Sequence, residues 1–320
     1  MNDLARRIFF ALALIAPALA AQDVLRLALA PVAEEGRPGS ANEGLTSDLA
    51  AQLGRFKFLL LVDRSKTKEL LKEVALSESG FVNPATAVKS GEMQGVQALL
   101  VATASKTALT ARILHIQSSR LIATASVAPG DAEKLSAKLA SGVETFLARE
   151  NLKSMRNDNP DIRLEFSVQR RAKGGGRLDT ITSAKEGKAR LGDTLVFSFK
   201  SSRDGFITLV DLQPSGDVVV LYPNDLTPDH KVAAGVAYAI PGAKDTFEIT
   251  VSEPIGRDTV VAFFTEAKVP WLDRVKLEGE GFRTVKESER LLATRGLKIT
   301  ATGLKAAAWK SQVIEIDVEP

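Results

Sequence analysis

The chain contains no cysteine. Disulfides, thiol catalysis, cysteine-ligated zinc and iron–sulfur clusters are therefore excluded. The same absence leaves no site for N-terminal acylation, so the chain is not expected to be a lipoprotein. Histidine is scarce, with two residues, His115 and His230. Aromatic residues make up 6% of the chain, a poor supply for base-stacking platforms. Neither sign of charge dominates: Lys+Arg number 42 against Asp+Glu 39, for a net charge of +3. The charges are interspersed, without the basic block that marks a nucleic-acid footprint, so no nucleic-acid partner is expected. Beyond the first twenty residues no apolar run approaches the roughly 20 residues a spanning helix needs, so no stable membrane insertion is expected.

What is present begins at the N-terminus. Arg6 and Arg7 precede an apolar run from Ile8 to Leu19, broken at Pro17 and closed by Ala18-Leu19-Ala20. A basic start, a short apolar core and a small-x-small site form the layout of a cleavable secretory signal peptide. Residues 1–20 are read as that signal, cut before Ala21, and the location expected is periplasmic.

The remainder reads as an α+β chain of two domains. In residues 21–150 strand and helix patterns alternate. Strands are expected over Val24–Val32, Lys57–Val62, Ala98–Ala104, Ala108–Ile116 and Arg120–Val127. Lys57–Val62 is nearly continuous in apolar residues, as a strand buried on both faces would be. Helices are expected over Ser40–Leu53, where Ser40 and Glu43 form a capping box, and over Ser65–Leu76, Pro84–Gln94 and Ala132–Leu147. Helices over a mixed sheet make an N-terminal α/β sandwich. Residues 151–161 are polar, pass through Asn159-Pro160, and read as a linker. In residues 162–320 short strands recur between glycine and proline turns: Ile162–Arg170, Thr194–Lys200, Gly205–Leu212, Asp217–Tyr222, Ala237–Ile240, Asp245–Val251, Asp258–Thr265 and Val313–Val318. That rhythm indicates a C-terminal β-sandwich, with a helix inserted at Lys286–Ala293.

Both halves carry family-like residues. In the first these are Leu29-Ala30-Pro31-Val32, Leu49 and Leu53 before Arg55-Phe56, Leu61-Val62-Asp63-Arg64, Leu76-Ser77-Glu78-Ser79-Gly80, and the run from Gly91 through Gly95 to Val101. With them, residues of about 24–150 resemble the soluble core of the curli assembly and transport component (CsgG-like) family, a fold shared with the N-terminal domain of TolB. In the second half they are Gly192-Asp193, Gly205-Phe206, Gly216-Asp217, Leu221-Tyr222-Pro223-Asn224, Gly235, Pro241 and Pro254-Ile255-Gly256. There, residues of about 188–266 resemble a domain of unknown function, family 4384. The curli resemblance implies an envelope assembly protein. It does not bring the pore with it, because that family's acylated cysteine and long membrane hairpins have no counterpart in this sequence.

Catalytic constellations are weak. His115 reads as a strand histidine paired to a neighbour. His230, in the loop Asn224–His230, has no Gly-x-Ser-x-Gly nucleophile to serve. Asp211, Asn224, Asp225 and Asp229 could supply calcium oxygens, but Asp/Asn turn chemistry is the simpler account. Gly174-Gly175-Gly176 lacks the Lys-Ser/Thr of a phosphate loop and reads as a hairpin tip. No catalytic, cofactor-binding or metal residue is assigned, and no enzyme activity is expected. The candidate interaction surface comprises Phe206, Tyr222, Pro223, Asn224, Asp225, His230 and Trp271. Trp271 marks a contact if exposed and a structural staple if buried.

The function expected is non-enzymatic protein–protein contact in the periplasm, accessory to the assembly or secretion of a cell-surface structure. The expected partners are other envelope proteins or further copies of the chain, with peripheral contact to the outer membrane or cell wall. Two alternatives are an oligomeric outer-membrane secretion component and a ligand-binding or hydrolytic module that uses the β-domain loop.

Overall fold

A computed structural model describes residues 24–37, 39–62, 95–176, 178–183 and 187–320. The export-signal pattern and the helices expected at Ser65–Leu76 and Pro84–Gln94 lie outside them. The chain divides into two compact units, Met1–Val143 and Glu144–Pro320. Among the described residues three sheets carry most of the structure.

The first unit holds β1 (Leu25–Leu29), β2 (Ala33–Glu34), α1 (Glu43–Leu53), β3 (Leu59–Leu61), β4 (Ala98–Ala104), β5 (Leu109–His115), β6 (Leu121–Val127) and the start of α2 (Ala132–Lys153). Its sheet runs β3-β1-β4-β5-β6, with β2 on β4. β1 is parallel to β3 and β4, whereas β4, β5 and β6 are antiparallel, so the sheet is mixed as expected. Two local expectations are corrected. Asn42 caps α1, its Oδ1 accepting from Leu45 N at 3.0 Å. Ser40 lies two residues too early and donates instead to Glu34. β3 is the end strand of its sheet, with Leu60 49% exposed, so it is not buried on both faces. Gly142 of α2 lies against β6: a Cβ there would come 2.6 Å from that of Ala123.

The second unit begins inside α2. Asn151 to Lys153 are helical, and Leu152 and Met155 are buried beside Val210, Val261 and Phe263. The stretch read as a linker thus starts as core, because its leucine and methionine continue the helix's apolar stripe. A five-stranded sheet contains β7 (Leu164–Arg171), β8 (Leu178–Thr182), β10 (Thr194–Ser201), β14 (Ala237–Ile240) and β15 (Ile249–Thr250). An eight-stranded sheet contains β9 (Gly187–Arg190), β11 (Gly205–Leu212), β12 (Val218–Tyr222), β13 (Lys231–Val232), β16 (Gly256–Thr265), β17 (Leu277–Glu278), β18 (Arg283–Val285) and β19 (Trp309–Glu319).

The two sheets enclose one core, from Phe166, Val168, Phe197 and Phe199 on one side to Ile207, Leu209, Ala262, Phe264 and Ile316 on the other. β10 alternates buried and half-buried residues, as a sheet with one dry face requires. β12 is buried at every residue, because the outer face of its sheet is also covered. Ala148 and Leu152 of α2, and Ala293, Leu297 and Ala301 of α3 (Arg290–Gly303), pack there with Trp271 and Trp309. The helix expected at Lys286–Ala293 is therefore α3, which starts later and runs ten residues further. Between Asp245 and Val251 only β15 forms a strand.

Candidate functional site

The loop after β12 is built by side chains that hydrogen-bond to nearby backbone. Asn224 Oδ1 accepts from Leu226 N at 2.9 Å and Thr227 N at 2.7 Å, and its Nδ2 donates to Leu221 O at 2.8 Å. Asn224 is 6% exposed, so its amide holds the turn and is closed to a partner. Asp225 accepts from Gly281 N and pairs with Arg283 at 2.8 Å. The Arg283 hydrogen bond, with Gly281 N, holds its carboxyl below the usual carboxylate range. Asp229 accepts from Lys231 N at 3.0 Å. These acids thus serve separate turns, and no group of three or more His, Cys, Asp or Glu able to hold a metal occurs among the described residues.

His230 is half-buried, its ring 5.2 Å from that of Phe206. Burial, and then the Lys268 cation, lower its pKa, so the imidazole is neutral at neutral pH. His115 meets Ser118 Oγ at 3.0 Å in the β5–β6 turn, the paired role read for it. Gly174, Gly175 and Gly176 all have positive φ at the tip between β7 and β8.

The proposed contact residues do not form one surface. Trp271 is 4% exposed, and its Nε1 donates to Ala293 O at 2.9 Å, stapling the chain to α3. Tyr222 is 3% exposed and donates to Asp229 O at 2.6 Å. Burial, with the Asp229 charge behind it, pushes its phenol up to about 12, so it stays neutral. Pro223 follows a cis peptide bond and is half-buried. Phe206 and His230 face each other, and Asp225 is committed to Arg283.

Tyr222 does open onto a cleft that the sequence did not announce. This cleft, of about 270 Å³, is lined by Phe199, Tyr222, Thr227, residues 238–240 of β14, and the turn Gly242–Asp245. Phe199 of β10 stands opposite Tyr238 of β14, the two rings stacked at 5.8 Å and 9°, and Tyr222 adds a third ring 5.3 Å from Phe199. Aromatic rings paired across strands are a common stabilising device of sheets. The Tyr238 hydroxyl accepts from Ala233 N at 3.0 Å. Asp245 Oδ2 accepts from Gly242 N at 2.7 Å, closing the rim turn. Lys244, on the same rim, is exposed and makes no ion pair among the described residues. Of the lining residues, Tyr222 was among the contact candidates named from the sequence, whereas Tyr238 was placed only within the Ala237–Ile240 strand. Its pairing with Phe199 depends on a register that one strand alone does not fix.

A second feature lies between the sheets. Asp211 of β11 is opposite Val260 of β16, which places Asp258, two residues along, on the same face. Each carboxyl has one buried oxygen without a hydrogen-bond partner. Burial, then the charge of Asp258, raise the pKa of Asp211 well above the carboxylate range, against a hydrogen bond to Gln213. Burial raises Asp258 to about 7, against the Arg149 cation. Neither acid lines the cleft. Burial, with the Asp258 charge acting on Asp211, thus favours the protonated acid on this face.

Residues 188–268 match the model of a domain of unknown function (DUF4384). That is the family read in the second half, and the match takes in every residue lining the cleft. It covers less than half of the chain. No curated protein matches the chain. Among solved structures, the LpoB C-terminal domain from Salmonella enterica is 22% identical, covering 34% of this chain and 87% of that chain, with a TM-score of 0.26. The PelC dodecamer from Paraburkholderia phytofirmans is 10% identical, covering 39% and 88%, with a TM-score of 0.23. TolB from Acinetobacter baumannii is 8% identical, covering 76% and 69%, with a TM-score of 0.25. Likenesses this slight leave the function to be read from the chain's own residues.

Proposed function

We propose that the chain is an exported, non-enzymatic protein of the cell envelope that works by protein–protein contact. In the finer form of this reading it is a periplasmic accessory to the assembly or secretion of a surface structure, and residues 24–150 form a CsgG-like α/β domain. One observation carries the contact role: an aromatic cleft lies along what is, among the described residues, an end strand of a sheet, with a lysine on its rim that makes no ion pair with them. Its volume falls just below the roughly 300–1,000 Å³ usual for small-molecule sites. The Tyr222 phenol is engaged with backbone, and the cleft contains no nucleophile–base pair of the kind acyl or phosphoryl transfer uses. Ring faces, a strand edge and one cation suit a polypeptide better than a reacting substrate.

Export is supported by the basic start, apolar core and small-residue site of residues 1–20. Among the described residues no helix is long and apolar enough to cross a membrane. Osmotic-shock release followed by N-terminal sequencing tests location. The mature chain is expected in the shock fluid, beginning at Ala21. An uncut N-terminus in the cytosolic fraction would contradict the reading. Chemical crosslinking in intact cells tests the contact role, and a chain that is always monomeric and without partners would count against it.

A further inference from the structure

The contact reading leaves the partner's chemistry open. Resting on that reading, we infer that the cleft beside β14 accepts an extended segment of a different polypeptide as an added strand, seating an apolar side chain on the aromatic floor and a carboxylate against Lys244.

Four observations converge on this occupant. β14 is the last strand of its sheet and pairs with β10 alone among the described residues. An end strand presents a row of backbone donors and acceptors that an incoming strand can satisfy. Second, the lining includes Tyr238, Ala239 and Ile240 in succession. Successive residues of a strand point to opposite faces, so a cleft touching all three follows the strand's edge. Third, the ring that the cleft exposes is Tyr238, backed by the buried rings of Phe199 and Tyr222, and the Tyr222 and Tyr238 hydroxyls are both engaged with backbone. Such a floor favours an aliphatic side chain over a polar one. Leu226, 58% exposed, is next in sequence to the lining residue Thr227. Fourth, the rim supplies a cation. Asp245 is turned back onto Gly242 N, whereas Lys244 has no ion-pair partner among the described residues. A carboxylate two to four residues from the seated side chain would meet it.

The experiment is panning of a phage-displayed random heptapeptide library on the full mature chain at low salt. Enriched peptides are expected to share Asp or Glu at a fixed short spacing from an aliphatic residue. A synthetic enriched peptide should lose about fivefold in affinity against Lys244→Glu, the scale of one exposed charge pair. Panning on Lys244→Glu should enrich Lys or Arg in place of the acid. Tyr238→Ser should weaken binding while the thermal transition of the second unit, which holds the cleft, stays in place. Enriched peptides without an acidic preference, or with equal affinity for Lys244→Glu, would overturn the inference. So would self-association of the chain that disappears in Lys244→Glu, because the strand donor would then be a second copy. If crosslinked partners persist equally in wild type and Lys244→Glu, the cleft inference fails and the contact reading stands. If cells yield no partner while peptides bind through Lys244, the contact reading fails by itself.

Discussion

Asp211 and Asp258 show how much a single residue's meaning depends on its neighbour across the sheet. Each looks like an ordinary turn or strand-end acid in the sequence, and the β11–β16 register turns them into a buried pair. The folded pKa of Asp258, about 7, lies above its value in the unfolded chain. Its contribution to stability is therefore fully present below about pH 4 and is lost as pH rises toward 7. Asp258→Asn removes the titration while keeping the shape. The variant is expected to be more stable than wild type at pH 8, by on the order of 2 kcal/mol, with the advantage vanishing near pH 4. Urea unfolding at both pH values measures this, and a constant difference would refute it. Asn224 was legible in part: its type and place predicted a turn residue, and it holds one. What the sequence could not supply was its burial, which removes it from any contact surface. Trp271 takes the staple role of the two open to it, and Tyr222, named for a surface, is buried behind the cleft. Aromatics with a polar atom suit a surface and a core equally well, provided that atom finds a partner, as both do here.

At the scale of the element, periodicity carried most of the reading. The strands Gly205–Leu212 and Ala237–Ile240 lie where alternation and turn residues put them. β12 was read only as one more sandwich strand, although its continuous apolar run is what two covered faces require. The missing step was which helices do the covering, because that is a contact between distant parts of the chain. The short strands β13, β17 and β18 were missed because two or three residues show no period. The contact of α2 with β6 gives a direct test. Gly142→Val would drive a branched side chain into Ala123, whose Cβ lies 2.6 Å from where the new Cβ must stand. A loss of about 1–3 kcal/mol is expected from overpacking of this kind. Hydrogen exchange should locate it in β6. Unchanged protection there would show that the helix can retreat.

At the scale of the whole molecule, the two-unit division places the end of α2 in the core of the second unit. Ala148, Leu152 and Met155 pack under its larger sheet, and Arg149 bonds Thr259 Oγ1 at 3.1 Å and Arg257 O at 3.0 Å. A chain of residues 162–320 is therefore expected to be less stable than one of residues 131–320 by several kcal/mol, on the order of 4, from the lost Leu and Met burial alone. Equal midpoints in guanidinium would show that the helix is dispensable. The polar composition of residues 151–161 hid this, since two buried apolar residues, Leu152 and Met155, leave little mark among polar ones.

The proposed contact role runs through the cleft at β14. Its most direct test is a photoreactive benzoylphenylalanine at Ala243, on the cleft rim, compared with one at Leu178, exposed on the far strand of the same sheet. Irradiation of intact cells should yield a discrete crosslinked protein from the Ala243 probe in the periplasmic fraction, greatly reduced by Lys244→Glu and missing from the Leu178 probe. Equal crosslinking from both positions, or a product indifferent to Lys244→Glu, would contradict the account.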